Sequence, residues 1–182
     1  MKRLLLPVFL IFFDHSYAQE TGQFLLQSKD LSKFFSQKYI YDRFHCGGQN
    51  ISPELHWKNA PTDTKSFAIT LFDPDAPTGQ GWWHWLIFNI PADTFHIPTG
   101  AGSIDTGLLP AGAVQSINDY GNIGYGGPCP PKGHGPHHYI FTIYALDTAT
   151  LNLPPDTAPK IVYQYIQKHS IAHTSFTSIY ER

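Results

Sequence analysis

Residues 73–77, with the sequence DPDAP, and the histidine that follows them carry the clearest chemistry in the chain. Each proline biases the residue before it toward an extended conformation, so Asp73 and Asp75 are predicted to point to the same side. Two neighbouring carboxylates need a cation, a hydrogen-bond donor or water beside them. His84 is a plausible donor if the flanking strands pair as a hairpin. The alternative is a proline-rich turn in which both aspartates only accept hydrogen bonds from backbone amides.

A second candidate site is the glycine- and proline-rich stretch at residues 124–133, with the sequence GYGGPCPPKG. Glycines let a backbone approach a ligand closely, prolines hold it stiff, and backbone amides in such a loop can bind an anion. The order of residues required for a P-loop is absent. His137 and His138 follow, and adjacent side chains of a strand face opposite sides. At most one of them therefore enters a given pocket, and a metal site is not the favoured interpretation.

The sequence contains no Gly-x-Ser-x-Gly nucleophile elbow and no His-Glu-x-x-His zinc helix. With no evident nucleophile or set of metal ligands, we expect a binding protein rather than an enzyme, and no cofactor. A hydrolase that uses Asp73, Asp75 and His84 as acid and base is the first alternative. The second alternative is a protein-interaction module whose pocket is vestigial.

Residues 1–18 are predicted to be a cleaved signal peptide. Lys2 and Arg3 precede a ten-residue apolar stretch, and the small residues Ser16 and Ala18 stand at the −3 and −1 positions of the cleavage site. The apolar stretch is half of the roughly 20 residues needed to cross a bilayer. The sequence therefore predicts an exported, soluble protein, periplasmic or secreted, without stable membrane insertion.

The two cysteines, Cys46 and Cys129, are predicted to form a disulfide, because an exported protein folds in an oxidising compartment. Two free thiols, or a metal or catalytic role, are the alternatives.

The composition favours one mostly-β domain over residues 19–182. A chain of 182 residues is long enough for one core and short for two. Its 15% aromatic content argues against disorder, and its 15 glycines and 15 prolines argue against a helical bundle. The net charge of −2 leaves no basic footprint for nucleic acid.

Short runs of β-branched and aromatic residues predict the strands of a two-sheet sandwich. They lie at residues 23–28, 52–57, 65–72, 83–89, 139–146 and 174–180. The long irregular stretches at residues 91–122 and 124–136 are expected to carry function or wrap the core.

One segment predicts a helix. Asp156 is the predicted N-terminal cap and Pro159 suits the first turn. The apolar stripe expected to face the core consists of Ile161, Val162, Tyr165 and Ile166.

Several motifs, in one order along the chain, resemble the phosphatidylethanolamine-binding protein (PEBP) family. They are FDPDAP at residues 72–77, WHW at 83–85, GPCPPKG at 127–133 and HHY at 137–139. The stretches at residues 46–57, 65–69 and 112–121 resemble the bacterial Raf-kinase-inhibitor-like branch, the YbhB/YbcL group. The resemblance covers residues from Phe24 to near the C-terminus.

The resemblance implies a β-sandwich of one large and one small sheet with a few peripheral helices. It also implies a small pocket that takes phosphate, phosphorylethanolamine or similar anions. The residues implied to line this pocket are Asp73, His84, His137, Tyr139, Gly127, Pro128, Pro130 and Pro131. Asp75 is expected to brace the turn or His84. Pairing of Cys46 with Cys129 would tie the glycine–proline loop to the N-terminal region.

Family members include kinase-pathway modulators and protease inhibitors, so the resemblance implies a protein partner without identifying it. It also makes a homodimer reasonable. His138 stands where animal members tend to carry arginine, which would weaken attraction for anions. We expect anion binding to strengthen as the pH falls from about 8 to 6 if the pKa of His84 stays near about 6.5 and its ring becomes cationic.

Overall fold

The structure, a computed structural model, describes residues 22–182. The predicted signal peptide, residues 1–18, lies outside this part of the chain. Within residues 22–182 the strands are β1 (Leu25–Gln27), β2 (Leu55–Lys58), β3 (Ser66–Asp73), β4 (Trp82–Pro91), β5 (His96–Ile97), β6 (Val114–Gln115), β7 (His137–Leu146) and β8 (Ser170–Tyr180). The α-helix α1 spans Pro159–His169, and a short 3-10 helix spans Gln37–Tyr39.

The strands form two antiparallel sheets. The small sheet has the order β1-β2-β5 and the large sheet the order β6-β4-β3-β7-β8. The main core lies between them, with Leu26, Leu55 and Trp57 from the small sheet. The mostly-β sandwich with a large and a small sheet, predicted from the sequence, is confirmed.

Strand β3 is buried on both faces because it lies at the centre of the large sheet. Phe67, Ile69 and Leu71 belong to the core between the sheets, whereas Ala68 belongs to a second cluster beneath α1. A strand covered on both faces reads as a continuous apolar run. This explains why residues 65–72 predicted a strand without clear alternation.

Antiparallel pairing brings distant polar residues to one end of the large sheet. The end of β3, at Asp73, lies beside the start of β4, where Asp73 pairs with Trp82. Strand β7 starts at the same end, and its first residue, His137, pairs with Tyr180 near the end of β8. The candidate site is therefore assembled from strand ends that are far apart in sequence.

Helix α1 differs from its prediction at both its start and its buried face. Its N-cap is Ala158 rather than Asp156, because Asp156 lies in a turn closed by Thr157, whose backbone N–H donates to the Pro154 carbonyl. Val162 and Ile166 are fully buried, whereas Ile161 and Tyr165 are exposed. Only half of the predicted stripe thus packs on the sheet. Among the described residues, no helix has the length and apolarity to cross a membrane.

Cys46 and Cys129 form a disulfide, with their Cα atoms 5.7 Å apart. The bond joins the glycine–proline loop to the segment that follows the 3-10 helix, two regions separated by 83 residues. It holds one wall of the candidate site described below.

Two isoleucines of α1 test which face of the helix is buried. We expect Ile166→Ala to lower the free energy of unfolding by about 2–5 kcal/mol, because it opens a cavity beneath the helix. The matched change Ile161→Ala, at a side chain that is 45% exposed, should cost less than about 0.5 kcal/mol. Urea unfolding measures both, and equal losses would contradict this orientation of the helix.

Candidate functional site

A cavity of about 520 Å³ opens at the end of the sandwich where β3, β4 and β7 meet. Its lining combines carboxylates, histidines, an arginine and aromatic rings: Phe44, Asp73, Ala76, Pro77, Thr78, Trp82, His84, Asp119, Tyr120, Cys129, Pro130, Pro131, His137, Tyr139 and Arg182. The two segments that the sequence singled out thus meet in one place.

Asp73 lies buried at the base of this cavity, with both carboxylate oxygens already bonded. Oδ1 accepts the backbone N–H of Asp75 at 2.9 Å, and Oδ2 accepts Nδ1–H of His137 at 2.7 Å. Both side chains of the Asp73–His137 pair are almost fully buried. A buried carboxylate without such donors would be strongly destabilising, so the pair fixes the floor of the site.

His134 extends this pair to the surface. Its Nδ1 lies 2.7 Å from Nε2 of His137. One arrangement of the ring protons satisfies all three groups: His134 Nδ1–H donates to His137 Nε2, and His137 Nδ1–H donates to Asp73. His137 then has no free ring nitrogen for a ligand.

His84 reaches the cavity through a β-bulge. Leu71 pairs with Trp85 and Phe72 pairs with Trp83, so His84 is the extra residue of β4. Bulges re-aim side chains in this way next to functional sites. The His84 ring packs edge-to-face against Tyr120 and Tyr139, with ring centroids 5.5 and 5.1 Å away.

His84 is neutral, contrary to the cationic state considered from the sequence. Burial lowers the pKa of His84 from 6.5 to about 4, although hydrogen bonding to Gly126 and the charge of Asp73 favour the proton. Nδ1–H donates to the Gly126 carbonyl at 2.7 Å. Nε2 therefore carries a lone pair and acts as an acceptor.

Two phenols of the cavity are fixed as protonated groups. Burial, with a smaller effect of the Asp73 charge, raises the pKa of Tyr139 far above its usual range. Burial likewise raises the pKa of Tyr120, whose hydroxyl donates to the Gly127 carbonyl at 3.1 Å. The hydroxyl of Tyr139, in contrast, is buried and has no partner.

Trp82 and Arg182 add two further donors that lack partners, the indole Nε1 and the guanidinium Nε. Neither residue was a candidate site residue in the sequence analysis. Arg182 follows the last strand, β8, and belongs to no recognisable sequence motif. It reaches the cavity because β8 ends beside His137, and this pairing is the one signal that could have found it.

Only part of the glycine–proline loop lines the cavity, and the rest anchors the loop to the protein. Pro130 and Pro131 line the cavity, whereas Gly127 and Pro128 are outside its lining. The Gly127 N–H donates to Asn50 Oδ1 at 2.8 Å, and a Cβ at Gly127 would collide with backbone atoms of residues 39–41. Pro128 accepts the Tyr41 N–H at 3.1 Å. These contacts hold the loop rather than a ligand.

Asp75 does not lie beside Asp73 in the cavity. The chain turns after Asp73, so the prediction of two carboxylates on one side is wrong. Asp75 is exposed, and its Oδ2 accepts both the backbone N–H and Nδ1–H of His138, each at 2.8 Å. Asp75 therefore braces the turn against β7 and does not contact His84.

Asp119 is the second carboxylate of the cavity. Its Oδ2 accepts the Trp83 N–H at 2.7 Å, and burial raises its pKa. Within residues 22–182, no three His, Cys, Asp or Glu side chains are grouped to hold a metal ion.

Comparison with known proteins points to one family. The sequence model of the phosphatidylethanolamine-binding protein family matches residues 30–181. YbcL of Escherichia coli K12 is 40% identical over 183 residues, which cover 100% of this chain and 99% of YbcL. YbhB of the same organism is 43% identical over 145 residues, or 79% of this chain and 89% of YbhB. The crystal structure of E. coli YbcL matches with a TM-score of 0.85 and 42% identity, covering 87% of this chain and 98% of that one.

The neutral state of His84 predicts a specific loss of stability in acid. As the pH falls through about 6.5, the unfolded chain takes up a proton at His84 while the folded chain does not. The contribution of neutral His84 to the free energy of unfolding is fully present above pH 6.5. It is lost as the pH falls toward the folded pKa of about 4, a loss of about 3 kcal/mol. His84→Gln keeps a donor for Gly126 but does not titrate, so its free energy of unfolding should fall less over this range.

Urea unfolding between pH 7 and 4.5 measures this difference. His173→Gln, at an exposed histidine of β8, is the control and should keep the wild-type slope. The same slope in His84→Gln and the wild type would contradict the neutral buried ring.

Proposed function

The chain belongs to the phosphatidylethanolamine-binding protein family, and from this premise we propose that its cavity binds a small phosphate-type anion. The preferred ligands are inorganic phosphate in its monoanionic form and phosphorylethanolamine. The observation that carries the proposal is the set of three donors without partners around one cavity: the Tyr139 hydroxyl, Trp82 Nε1 and Arg182 Nε. Buried donors are rarely left unpaired, and an anion that accepts from all three would satisfy them.

The charges of the cavity favour an anion that keeps one proton. Arg182 supplies a permanent positive charge. His84 Nε2 is an acceptor, and a P–OH group of the ligand can donate to it, whereas a fully ionised oxygen would be repelled. Because both oxygens of Asp73 already accept N–H donors, we assign the acceptor role to His84 rather than to Asp73. The proton that binding requires therefore comes with the ligand.

Asp119 supports a ligand that also carries an ammonium group. It is a carboxylate in the same cavity as Arg182, and one of its oxygens is already held by the Trp83 N–H. A zwitterion such as phosphorylethanolamine can place its phosphate toward Arg182 and its ammonium toward Asp119. Inorganic phosphate would use only the first of these contacts.

Of the three groups of the hydrolase alternative, only Asp73 and His84 line the cavity, and neither is free for acid–base work. Asp75 faces His138, and Asp73 is bonded to His137. His84 is neutral and holds the Gly126 carbonyl. We therefore favour binding over acid–base catalysis by this trio.

We further propose that the protein is exported and acts through a partner protein. The Cys46–Cys129 disulfide and the predicted signal peptide support export. Phe44, which is 65% exposed at the rim of the cavity, is where a partner can sense whether the cavity is occupied. Exposed aromatic residues are enriched in binding surfaces.

Removing one hydroxyl tests the proposal directly. Tyr139→Phe deletes a buried donor without a partner, so the protein should fold at least as stably as the wild type. Binding of inorganic phosphate should weaken about tenfold or more, because a hydrogen bond to a charged group is lost. Tyr163→Phe, outside the cavity on α1, is the matched control and should bind normally. Calorimetric titration reports both, and unchanged affinity in Tyr139→Phe would sink the proposal.

The pH dependence of binding distinguishes protonation of the ligand from protonation of the protein. The second pKa of a phosphate monoester is about 6, so the monoanion fraction of phosphorylethanolamine, and with it the apparent affinity, should rise about 50-fold from pH 8 to 6. Sulfate carries no proton over this range and should show no comparable rise. If sulfate binding strengthened as much as phosphate binding, protonation of the protein would be the cause.

A further inference from the structure

Arg182 lies between the disulfide and the cavity. Its Nη1 is 2.7 Å from Cys46 Sγ and 3.9 Å from Cys129 Sγ, and it donates to the Phe44 carbonyl at 3.2 Å. Its Nε is buried without a partner, and the residue lines the cavity. The same guanidinium therefore contacts the disulfide and supplies the charge of the proposed anion site.

The backbone holds Arg182 in this place independently of the sulfur atoms. The Gly133 N–H donates to the Arg182 carbonyl at 2.8 Å. Strand β8 pairs with β7 up to Tyr180, which lies opposite His137. Arg182 thus remains beside residues 46 and 129 whether or not these are bonded.

The two sulfur atoms differ in exposure. Cys129 is half-buried and lines the cavity, whereas Cys46 is 7% exposed. A thiolate that enters through the cavity reaches Cys129 Sγ first. Attack there makes Cys46 the leaving group, and Cys46 is the sulfur in contact with the guanidinium. A leaving thiolate stabilised by a cation departs more readily.

We propose that reduction of Cys46–Cys129 turns the anion site off, because the Cys46 thiolate that is released takes the positive charge of Arg182 from the ligand. This inference rests on the proposed function and names its regulation. It makes the disulfide a redox switch rather than only a brace.

The reaction balances with a dithiol as the reductant, either dithiothreitol or the dithiol of a thiol–disulfide oxidoreductase. Its first thiolate attacks Cys129 Sγ, the Cys46–Cys129 bond breaks, and Cys46 leaves as a thiolate. Its second thiol then displaces Cys129 from the mixed disulfide. The reductant loses two electrons and becomes a disulfide, Cys129 ends as a thiol, and Cys46 stays a thiolate beside Arg182.

The test is titration of inorganic phosphate into oxidised protein, protein reduced with dithiothreitol, and the variant Cys46→Ser under the same reducing conditions. The oxidised protein should bind phosphate, and reduction should weaken binding tenfold or more. Cys46→Ser also lacks the disulfide but cannot form the thiolate, so it should bind phosphate more tightly than the reduced wild type. If the oxidised protein fails to bind phosphate, the proposed function itself is wrong.

Equally weak phosphate binding in the reduced wild type and in Cys46→Ser would overturn the proposal that the Cys46 thiolate pairs with Arg182. Loosening of the loop would then explain the lost affinity. Unchanged affinity on reduction would overturn the proposal as well. A second measurement needs no ligand: in Cys129→Ser, thiolate absorbance should titrate below the usual Cys pKa of about 8.5. Arg182→Gln in that background should move it back, and an unmoved titration would also overturn the proposal.

Discussion

Antiparallel pairing of β3 with a neighbour on each side is the constraint from which the site follows. It places the end of β3 between the starts of β4 and β7, so Asp73 is buried next to His137 and must be paired there. Breaking such a buried pair leaves an uncompensated charge that costs about 3–5 kcal/mol. A slip of one residue would turn Asp73 and His137 to the opposite face of the sheet. The register of the sheet and the Asp73–His137 hydrogen bond therefore stabilise one another.

The cavity contains buried donors without partners, and these lower the free energy of unfolding. Each buried donor without a partner costs roughly 1–3 kcal/mol, and Tyr139, Trp82 and Arg182 each present one. The surrounding sandwich offsets this cost, since the large sheet is covered by the small sheet on one face and by α1 on the other. Unpaired donors held by a rigid frame lose little entropy when an anion arrives. Under the proposed function, the same unpaired donors that lower the stability of the fold would favour binding of an anion.

The sequence predicted the strands and the sandwich because apolar periodicity and turn residues are local signals. It also placed Asp73, His84, His137 and Tyr139 in one pocket through family motifs, as the structure shows. It failed where the outcome depends on neighbours distant in the chain. The neutrality of His84 comes from burial behind a bulge, and the turn that separates Asp75 from Asp73 is held by His138. Arg182 has no motif, and only strand pairing brings it to the cavity.

The cavity contains a histidine that stays neutral, His84, and an arginine that stays charged, Arg182. Because the pKa of His84 lies at about 4, its ring does not change state between pH 6 and 8. Under the proposed function, a change in anion affinity over this range would therefore come from the ligand. Arg182 cannot lose its charge by deprotonation. Its charge can be neutralised only by a nearby anion. Cys46 Sγ, which lies 2.7 Å from Nη1, is the atom placed to become one. Under the proposed switch, redox chemistry would act on the cation of this cavity, whereas pH would act on the proton of the ligand.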